Sequence, residues 1–293
     1  MANSPGLSLK AAMEAEKPLQ MAGAINAMAA IMAEHAGFRA LYLSGAGVAN
    51  ASFALPDLGI TTLNDVLEDA RRITSASSLP LTVDADTGWG GVFNIQRTVK
   101  QMISASVAAI HIEDQVAAKR CGQRPGKRLV STNEMVDRIK AAVDAKTDNG
   151  FMVIARTDAV AVEGFDAALE RARAYRDAGA DVLFPEALGG IEQYAKFVRH
   201  MQAPVLANMT EFGVAPLYTV QELAGAGVSI ILYPLSAFRA MNRAAFDVYR
   251  AIRANGTQKD MLGIMQTREE LYELLHYYDY ERKLDRLYPG GEQ

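Results

Sequence analysis

The sequence predicts an α/β fold: a (β/α)8 barrel of the TIM type with a C-terminal helical extension. Three observations carry this. Eight short apolar runs alternate with longer amphipathic segments, the alternation fills about 230 residues, and no G-x-G-x-x-G turn follows the first run. Parallel strands joined by short connections need crossovers, so the alternation implies a parallel sheet. Closing eight strands into a barrel accounts for their number better than an open doubly wound sheet, whose dinucleotide turn is missing.

Taken in order, the strands are expected at 21–25, 40–43, 81–83, 108–112, 151–155, 182–184, 205–207 and 229–232. Each is a short apolar run of the kind a sheet covered on both faces requires. Helices are expected at 95–104, 133–145, 166–178 and 191–200. Within 166–178, Ala167, Leu169, Ala172, Tyr175 and Ala178 recur near the helical period, and Gly179-Ala180 supplies a stop signal. After the eighth strand a long helix is expected over 236–254, broken at Asn255-Gly256, followed by a tail helix over 267–284. The chain thus divides into a barrel domain, 1–256, and a helical tail, 257–293. Tyr272, Tyr277, Tyr278 and Tyr280 in the tail need a surface to cover them, either a neighbouring subunit or the chain's own barrel.

Composition narrows the function classes. A chain of 293 residues that is 50% hydrophobic and 22% charged is globular, with material for a large core. One cysteine excludes an intramolecular disulfide and a cysteine-rich zinc site. Thirty basic against 34 acidic side chains, a net charge of −4, argue against nucleic acid as a partner. The N-terminus carries charges where a secretory leader needs an apolar run, and no apolar stretch reaches the roughly 18 residues of a membrane span. The expectation is a cytoplasmic protein with no membrane partner.

In barrel enzymes the chemistry collects at the C-terminal ends of the strands. Polar clusters stand there at Ser44-Gly45-Ala46, Asp84-Ala85-Asp86, His111-Ile112-Glu113-Asp114, Arg156-Thr157-Asp158, Glu186 and Asn208-Met209-Thr210-Glu211. Asp84 and Asp86 are two apart, so on an extended chain both point to one face. With Glu113 nearby they suit a hard cation with oxygen ligands such as Mg2+. The lone Cys121 lies among Lys119, Arg120, Arg124, Lys127 and Arg128, five cations within ten residues. Such a setting is expected to lower a thiol pKa, and Gly122 and Gly126 let the segment hinge over the barrel mouth. The same cations, with Arg156, suit a substrate bearing several carboxylates.

Lys119-Arg120-Cys121-Gly122, Asp84-Ala85-Asp86, Tyr42-Leu43-Ser44-Gly45 and Asn208-Met209-Thr210-Glu211-Phe212-Gly213 resemble the isocitrate lyase and phosphoenolpyruvate mutase superfamily, and the cysteine loop resembles its lyase branch. The resemblance covers nearly the whole chain, including the Tyr233–Asn242 segment and Gln266-Thr267-Arg268. It implies a Mg2+-dependent barrel that cleaves (2S,3R)-2-methylisocitrate, a small tricarboxylate, to pyruvate and succinate in the methylcitrate cycle of propionate catabolism. It also implies a homotetramer that exchanges C-terminal helices between subunits. Carried over, Ser44, Gly45 and Ala46 contact the pyruvate part, and Asp84 and Asp86 hold Mg2+, with Asp57 and Glu113 supporting through water. Arg156, Glu186, Asn208, Met209, Thr210, Arg239 and Arg268 line the substrate pocket. Cys121 and Gly122 meet the succinate part, with Cys121 as the acid, and Tyr42 is one candidate for the base. Lys119, Arg120, Gln123 and Arg124 complete the loop. Ala46 replaces an expected glycine, and Gln123 replaces the loop's histidine. An amide at 123 cannot carry a protonic charge, so weakened thiol chemistry or loop closure is expected.

Overall fold

The computed structural model describes residues 4–288. Eight strands appear in the expected order: β1 Leu19–Gly23, β2 Ala40–Leu43, β3 Leu81–Asp84, β4 Ala109–Glu113, β5 Met152–Thr157, β6 Val182–Pro185, β7 Leu206–Asn208 and β8 Ile230–Tyr233. Neighbouring strands all pair in parallel, in the order β6-β5-β4-β3-β2-β1-β8-β7. One parallel bridge, Leu183 to Val205, brings the two outer strands together and closes the barrel.

The helices are α1 Pro5–Ala15, α2 Ala27–His35, α3 Gly45–Phe53, α4 Leu63–Ala76, α5 Val92–Ser104 and α6 Thr132–Asp144. They continue with α7 Phe165–Asp177, α8 Ile191–Met201, α9 Val220–Gly225, α10 Ser236–Asn255, α11 Arg268–Leu274 and α12 Tyr277–Leu287. Local chemistry fixes their ends and faces. In α4 a capping box between Thr62 and Asp65 starts the helix, and Leu63, Val66, Leu67, Ala70 and Ile73 bury one stripe at helical spacing. Helix α7 stops as its sequence suggests: Gly179 takes φ 105°, and the Ala180 N–H reaches back to the Tyr175 carbonyl, closing a Schellman turn.

Strand alternation sorts side chains into two layers. Leu41 and Leu43, Leu81 and Val83, Ile110 and Ile112, and Val153 and Ala155 face outward into the large core beneath the helices. Leu19, Met21, Ala40, Tyr42, Met152, Ile154, Val182, Phe184, Leu206, Ile230 and Leu232 form a second cluster, the filling of the barrel. Continuing that inward parity to the strand ends reaches Asp84, Glu113, Arg156, Glu186 and Asn208. The same alternation that packs the barrel therefore aims these groups at its mouth.

The chain divides into two compact units, one up to Phe238 and one from Arg239 on, so α10 leaves the first and continues in the second. In the second unit the tail is two helices, α11 and α12, where one was expected, because His276 adopts a left-handed turn (φ 52°) between them. Tyr272, Tyr277 and Tyr278 cluster on one another there, with Tyr272 and Tyr277 stacked at 4.2 Å. Phe246, Tyr249, Tyr280 and Leu287 remain largely exposed. Among the described residues no helix is long and apolar enough to cross a membrane.

One buried knot fastens α7 to the site. Asp114 accepts hydrogen bonds from Thr157 Oγ1 (2.7 Å), the Asp158 N–H (2.9 Å) and Tyr175 Oη (2.9 Å), with the Arg171 guanidinium at 3.7 Å. Removing one member of such a network leaves the others buried and unpaired. Asp114→Ala is expected to lower unfolding stability by about 3 kcal/mol, read from urea denaturation; a loss below about 1 kcal/mol would show that solvent replaces the carboxylate.

Candidate active site

The mouth of the barrel carries two charged poles. The first is built from β2, β3 and β4. Asp84 ends β3, accepts the Gly45 N–H at 3.0 Å and the Asp86 N–H at 3.0 Å, and so anchors the N-terminus of α3. Asp86 does not sit on an extended strand as its spacing suggested; it adopts a left-handed conformation (φ 47°), and this turn, not strand alternation, brings the two carboxylates together. A Cβ placed on Gly45 would lie 3.1 Å from Asp84 Oδ2 and 3.2 Å from Asp86 Oδ1. Glycine at 45 keeps that space open for both oxygens.

Lys119 enters this pole from the loop that follows β4. Its buried ammonium pairs with Asp57 Oδ1 at 2.7 Å and with Asp86. Burial opposes its charge, but Glu113, Asp86, Asp84 and Asp57 hold its pKa well above the usual lysine value. Asp86 is pushed up to about 6, by burial first, with Lys119 opposing and Asp84 and Asp57 adding like charge. Burial also resists ionisation of Asp84, yet its carboxyl stays below the ordinary range through neighbouring cationic groups and the Asp86 N–H. His111 is itself pushed down to about 4 by burial, so near neutral pH the cations acting on Asp84 are Lys119 and Arg156.

His111 points into the barrel. Its Nε2 lies 2.7 Å from Tyr42 Oη and 3.3 Å from Asp84 Oδ1, and its ring stacks parallel to Tyr42. Burial, and then Asp84, raise the Tyr42 phenol well above its usual value. Tyr42 is therefore held as the protonated phenol, hydrogen-bonded to His111.

The second pole is Arg156 on β5. Its guanidinium pairs in a fork with Asp158 (Nε to Oδ2 3.0 Å, Nη2 to Oδ1 3.2 Å) and lies 3.4 Å from Glu113 Oε2 and 3.5 Å from Glu186 Oε2. Phe184 stands beneath it at 5.3 Å. The two longer contacts leave donors on Nη1 and Nη2 for an incoming carboxylate. Asn208 Nδ2 reaches both Glu186 oxygens at 3.3 and 3.4 Å.

The cysteine loop closes over this second pole. Its base is an antiparallel bridge between Gln115 and Leu129. Gln115 donates to Glu113 Oε1 (3.0 Å) and the Arg120 carbonyl (2.8 Å) and accepts the Arg120 N–H (3.0 Å). Gly122 lies so close to Arg156 that a Cβ would fall 2.1 Å from Nη2. Gln123 donates through Nε2 to Glu186, while its Oε1 accepts the Val214 N–H at 2.9 Å. The amide thus pins the loop to β6 and to the segment after β7, so Gln123 supports closure in this conformation.

Two readings of the sequence need correction. The cations around Cys121 do not lower its thiol: burial raises its pKa above 9.0, ahead of the opposing Gln123 N–H and Arg156 and the reinforcing Asp57 and Glu186. The reason is geometric, since Lys119 turns to Asp57 and Asp86, Lys127 to Asp158, and Arg120 to the Pro125 carbonyl. Met209 falls one position after inward-facing Asn208 and is buried in the outer core, with its sulfur 3.4 Å from the Tyr218 N–H; it does not line the mouth.

Of the remaining residues, Ser44 caps α3 by accepting the Gly47 N–H, and Ala46 sits in that helix's first turn. Thr210 lies against Gly213 on the segment pinned by Gln123, and Arg124 donates its N–H to the Cys121 carbonyl at 2.9 Å. Arg239 lies in α10 and Arg268 opens α11 behind the Thr267 cap, both in the second unit. From sequence, Gln115 was not singled out, Lys127 was only one cation of the basic loop, and His111 only a member of a strand-end cluster with no role. Inward parity on β4 could have found His111, but only the folded loop reveals the other two.

A phosphoenolpyruvate phosphomutase family model matches residues 9–253. The chain belongs to this family. It is 60% identical over 291 residues to a 2-methylisocitrate lyase of Escherichia coli strain K12, covering 99% of this chain and 98% of that one. Among solved structures of the family, a 2,3-dimethylmalate lyase superposes with a TM-score of 0.90 at 36% identity, covering 99% of this chain and 97% of that one. A phosphonopyruvate hydrolase in complex with oxalate and Mg2+ does so at 0.84 and 30%, covering 98% and 99%. The chain is thus a lyase of the phosphoenolpyruvate mutase and isocitrate lyase superfamily.

The thiol's environment has a direct readout. Iodoacetamide labelling of Cys121 is expected to keep accelerating above pH 9, the ordinary value of a thiol being 9.0. A plateau near neutral pH would show a cation-stabilised thiolate instead.

Proposed function

We propose that this chain is a Mg2+-dependent lyase that cleaves 2-methylisocitrate to pyruvate and succinate. The observation that carries the reading is the joining of 60% identity to a 2-methylisocitrate lyase with a mouth holding a carboxylate pole, an arginine pole and a thiol lid. Identity to the 2,3-dimethylmalate lyase is only 36%, which favours the tricarboxylate.

Among the described residues, no group of three or more His, Cys, Asp and Glu side chains forms a metal cage by itself. Mg2+ does not need one: it binds through one or two carboxylates, keeping waters and substrate oxygens. The converging oxygens of Asp84 and Asp86 below Gly45 fit such an ion, and Asp57, which shares Lys119 with Asp86, and Glu113 are proposed to support it through water. When bound, Mg2+ supplies Lewis-acid polarisation of the oxygens that become pyruvate.

The chain's own groups supply the rest. The hydroxyl proton passes to water at the barrel mouth, the carbinol oxygen forms the ketone of pyruvate, and the breaking carbon–carbon bond delivers its electrons to the succinate-side carbon. Arg156 faces the charge that develops on the neighbouring carboxylate. Cys121, kept as a neutral thiol by burial, donates its proton to that carbon and regains one before the next turnover. Tyr42 and neutral His111 hold the orientation of Asp84.

The assignment extends to a cytoplasmic enzyme of propionate catabolism, a homotetramer in which exchanged C-terminal helices cover the exposed Phe246, Tyr249 and Tyr280.

A coupled pyruvate assay with 2-methylisocitrate, 2,3-dimethylmalate and isocitrate tests the reading. Mg2+-dependent pyruvate release is expected from 2-methylisocitrate, abolished by EDTA and lowered at least about a hundredfold by Asp86→Asn. Turnover of dimethylmalate alone would reassign the substrate, and binding without product would make the chain a catalytically impaired binder.

A further inference from the structure

Lys127 is a buried lysine that the reaction as described does not use. Its side chain is 1% exposed, unusual for the residue type, and it stands near the foot of the cysteine loop, one residue beyond the Val116–Arg128 backbone bond. From there the side chain runs beneath the loop. Its ammonium donates to the Gly122 carbonyl and to Asp158 Oδ1, the latter at 2.8 Å. Asp158 is fully buried and holds Arg156 through Nε and Nη2 with the same carboxylate. Its own backbone N–H is fixed by Asp114.

A continuous chain of charge-assisted bonds therefore runs from the Asp114 knot through Asp158 to both Arg156 and the carbonyl of Gly122, the residue that follows Cys121. A carbonyl oxygen held by an ammonium defines where the preceding residue's side chain can lie. A buried ion pair is weak evidence for stability and stronger evidence for a defined geometry. Besides Lys127, the loop is held by the Gln123 amide at its tip, by Lys119 and the Gln115 bonds nearer its base, and by the turn between Cys121 and Arg124. Of these side chains Lys127 is the one that ties the peptide next to Cys121 to the carboxylate gripping Arg156.

The geometry points to Lys127 as a positioning residue that locks the Cys121 thiol in register with the Arg156 guanidinium, using Asp158 as a shared anchor. This rests on the proposed role of Cys121 as proton donor. Loss of the lock frees the loop to leave the mouth, which exposes the thiol to water and misplaces it relative to the reacting carbon.

Cys121 is the chain's one cysteine, so alkylation reports on this loop alone. The test measures iodoacetamide labelling at fixed pH together with kcat and KM for 2-methylisocitrate, in wild type, Lys127→Met and Lys127→Arg, with folding checked by circular dichroism and melting. In Lys127→Met, labelling is expected to accelerate about tenfold or more and kcat to fall about a hundredfold, with KM within about threefold. Lys127→Arg, which keeps the charge, is expected to recover part of both effects, and it carries the test if the methionine variant does not fold. Labelling at the wild-type rate in the folded variants would overturn the inference, as would equal losses in kcat for Met and Arg with unchanged labelling. An inactive wild type whose labelling still accelerates in Lys127→Met would overturn the functional reading and leave the lock standing.

Discussion

The structure of the site depends on one buried cation. The Arg156 guanidinium is surrounded by Asp158, Glu113 and Glu186, three carboxylates delivered by three different strand ends. Taking so many charges from water costs free energy, which the guanidinium and the surrounding hydrogen-bond donors offset. Glu113 Oε2 is left with the 3.4 Å contact to Arg156 and no hydrogen bond. Glu113 is also tied by Gln115, Glu186 by Gln123 and Asn208, and Asp158 by Lys127. Three side chains that hold the loop, Gln115, Gln123 and Lys127, therefore end on groups that Arg156 gathers, while Lys119 ties it to Asp57 and Asp86. The lid and the catalytic floor are held by one electrostatic assembly.

Across the mouth, the Asp84 and Asp86 pole has the opposite character. Carboxylates outnumber cations there, Lys119 is the ammonium among them, and Asp86 is pushed up to about 6. Such a pole attracts a further cation, whereas the Arg156 pole attracts an anion. The separation suits a reaction in which one half of the substrate leaves as a ketone beside a metal ion and the other as a dicarboxylate beside a guanidinium. Between the two stands Tyr42 with His111, a neutral pair that fills the barrel and adds no charge to either side.

Much of this was legible in the sequence, for a physical reason. The strands are apolar, short and separated by amphipathic segments, so periodicity alone located all eight within a few residues. Asp84, Glu113, Arg156 and Glu186 stood directly after apolar runs, where a barrel must place its chemistry. What could not be read depended on how side chains turn after the backbone is set. Lys119 and Lys127 look alike in sequence, as two cations of a basic loop, yet each is buried against a different carboxylate. The thiol was misjudged for the same reason, because charge density along a chain does not say which charges point at the sulfur. Asp86 and His276 adopt left-handed conformations without a glycine, which hid one turn of the site and the break in the tail.

In the proposed mechanism a neutral, lid-borne thiol protonates the succinate-side carbon while other groups bind the substrate. The most direct test is Cys121→Ser, with single-turnover product formation from 2-methylisocitrate measured beside substrate affinity by calorimetry. Serine keeps the size and loses the acidity. Chemistry is expected to slow by about a thousandfold with affinity within about fivefold of wild type. A variant that turns over within a few-fold of the wild-type rate would contradict the account.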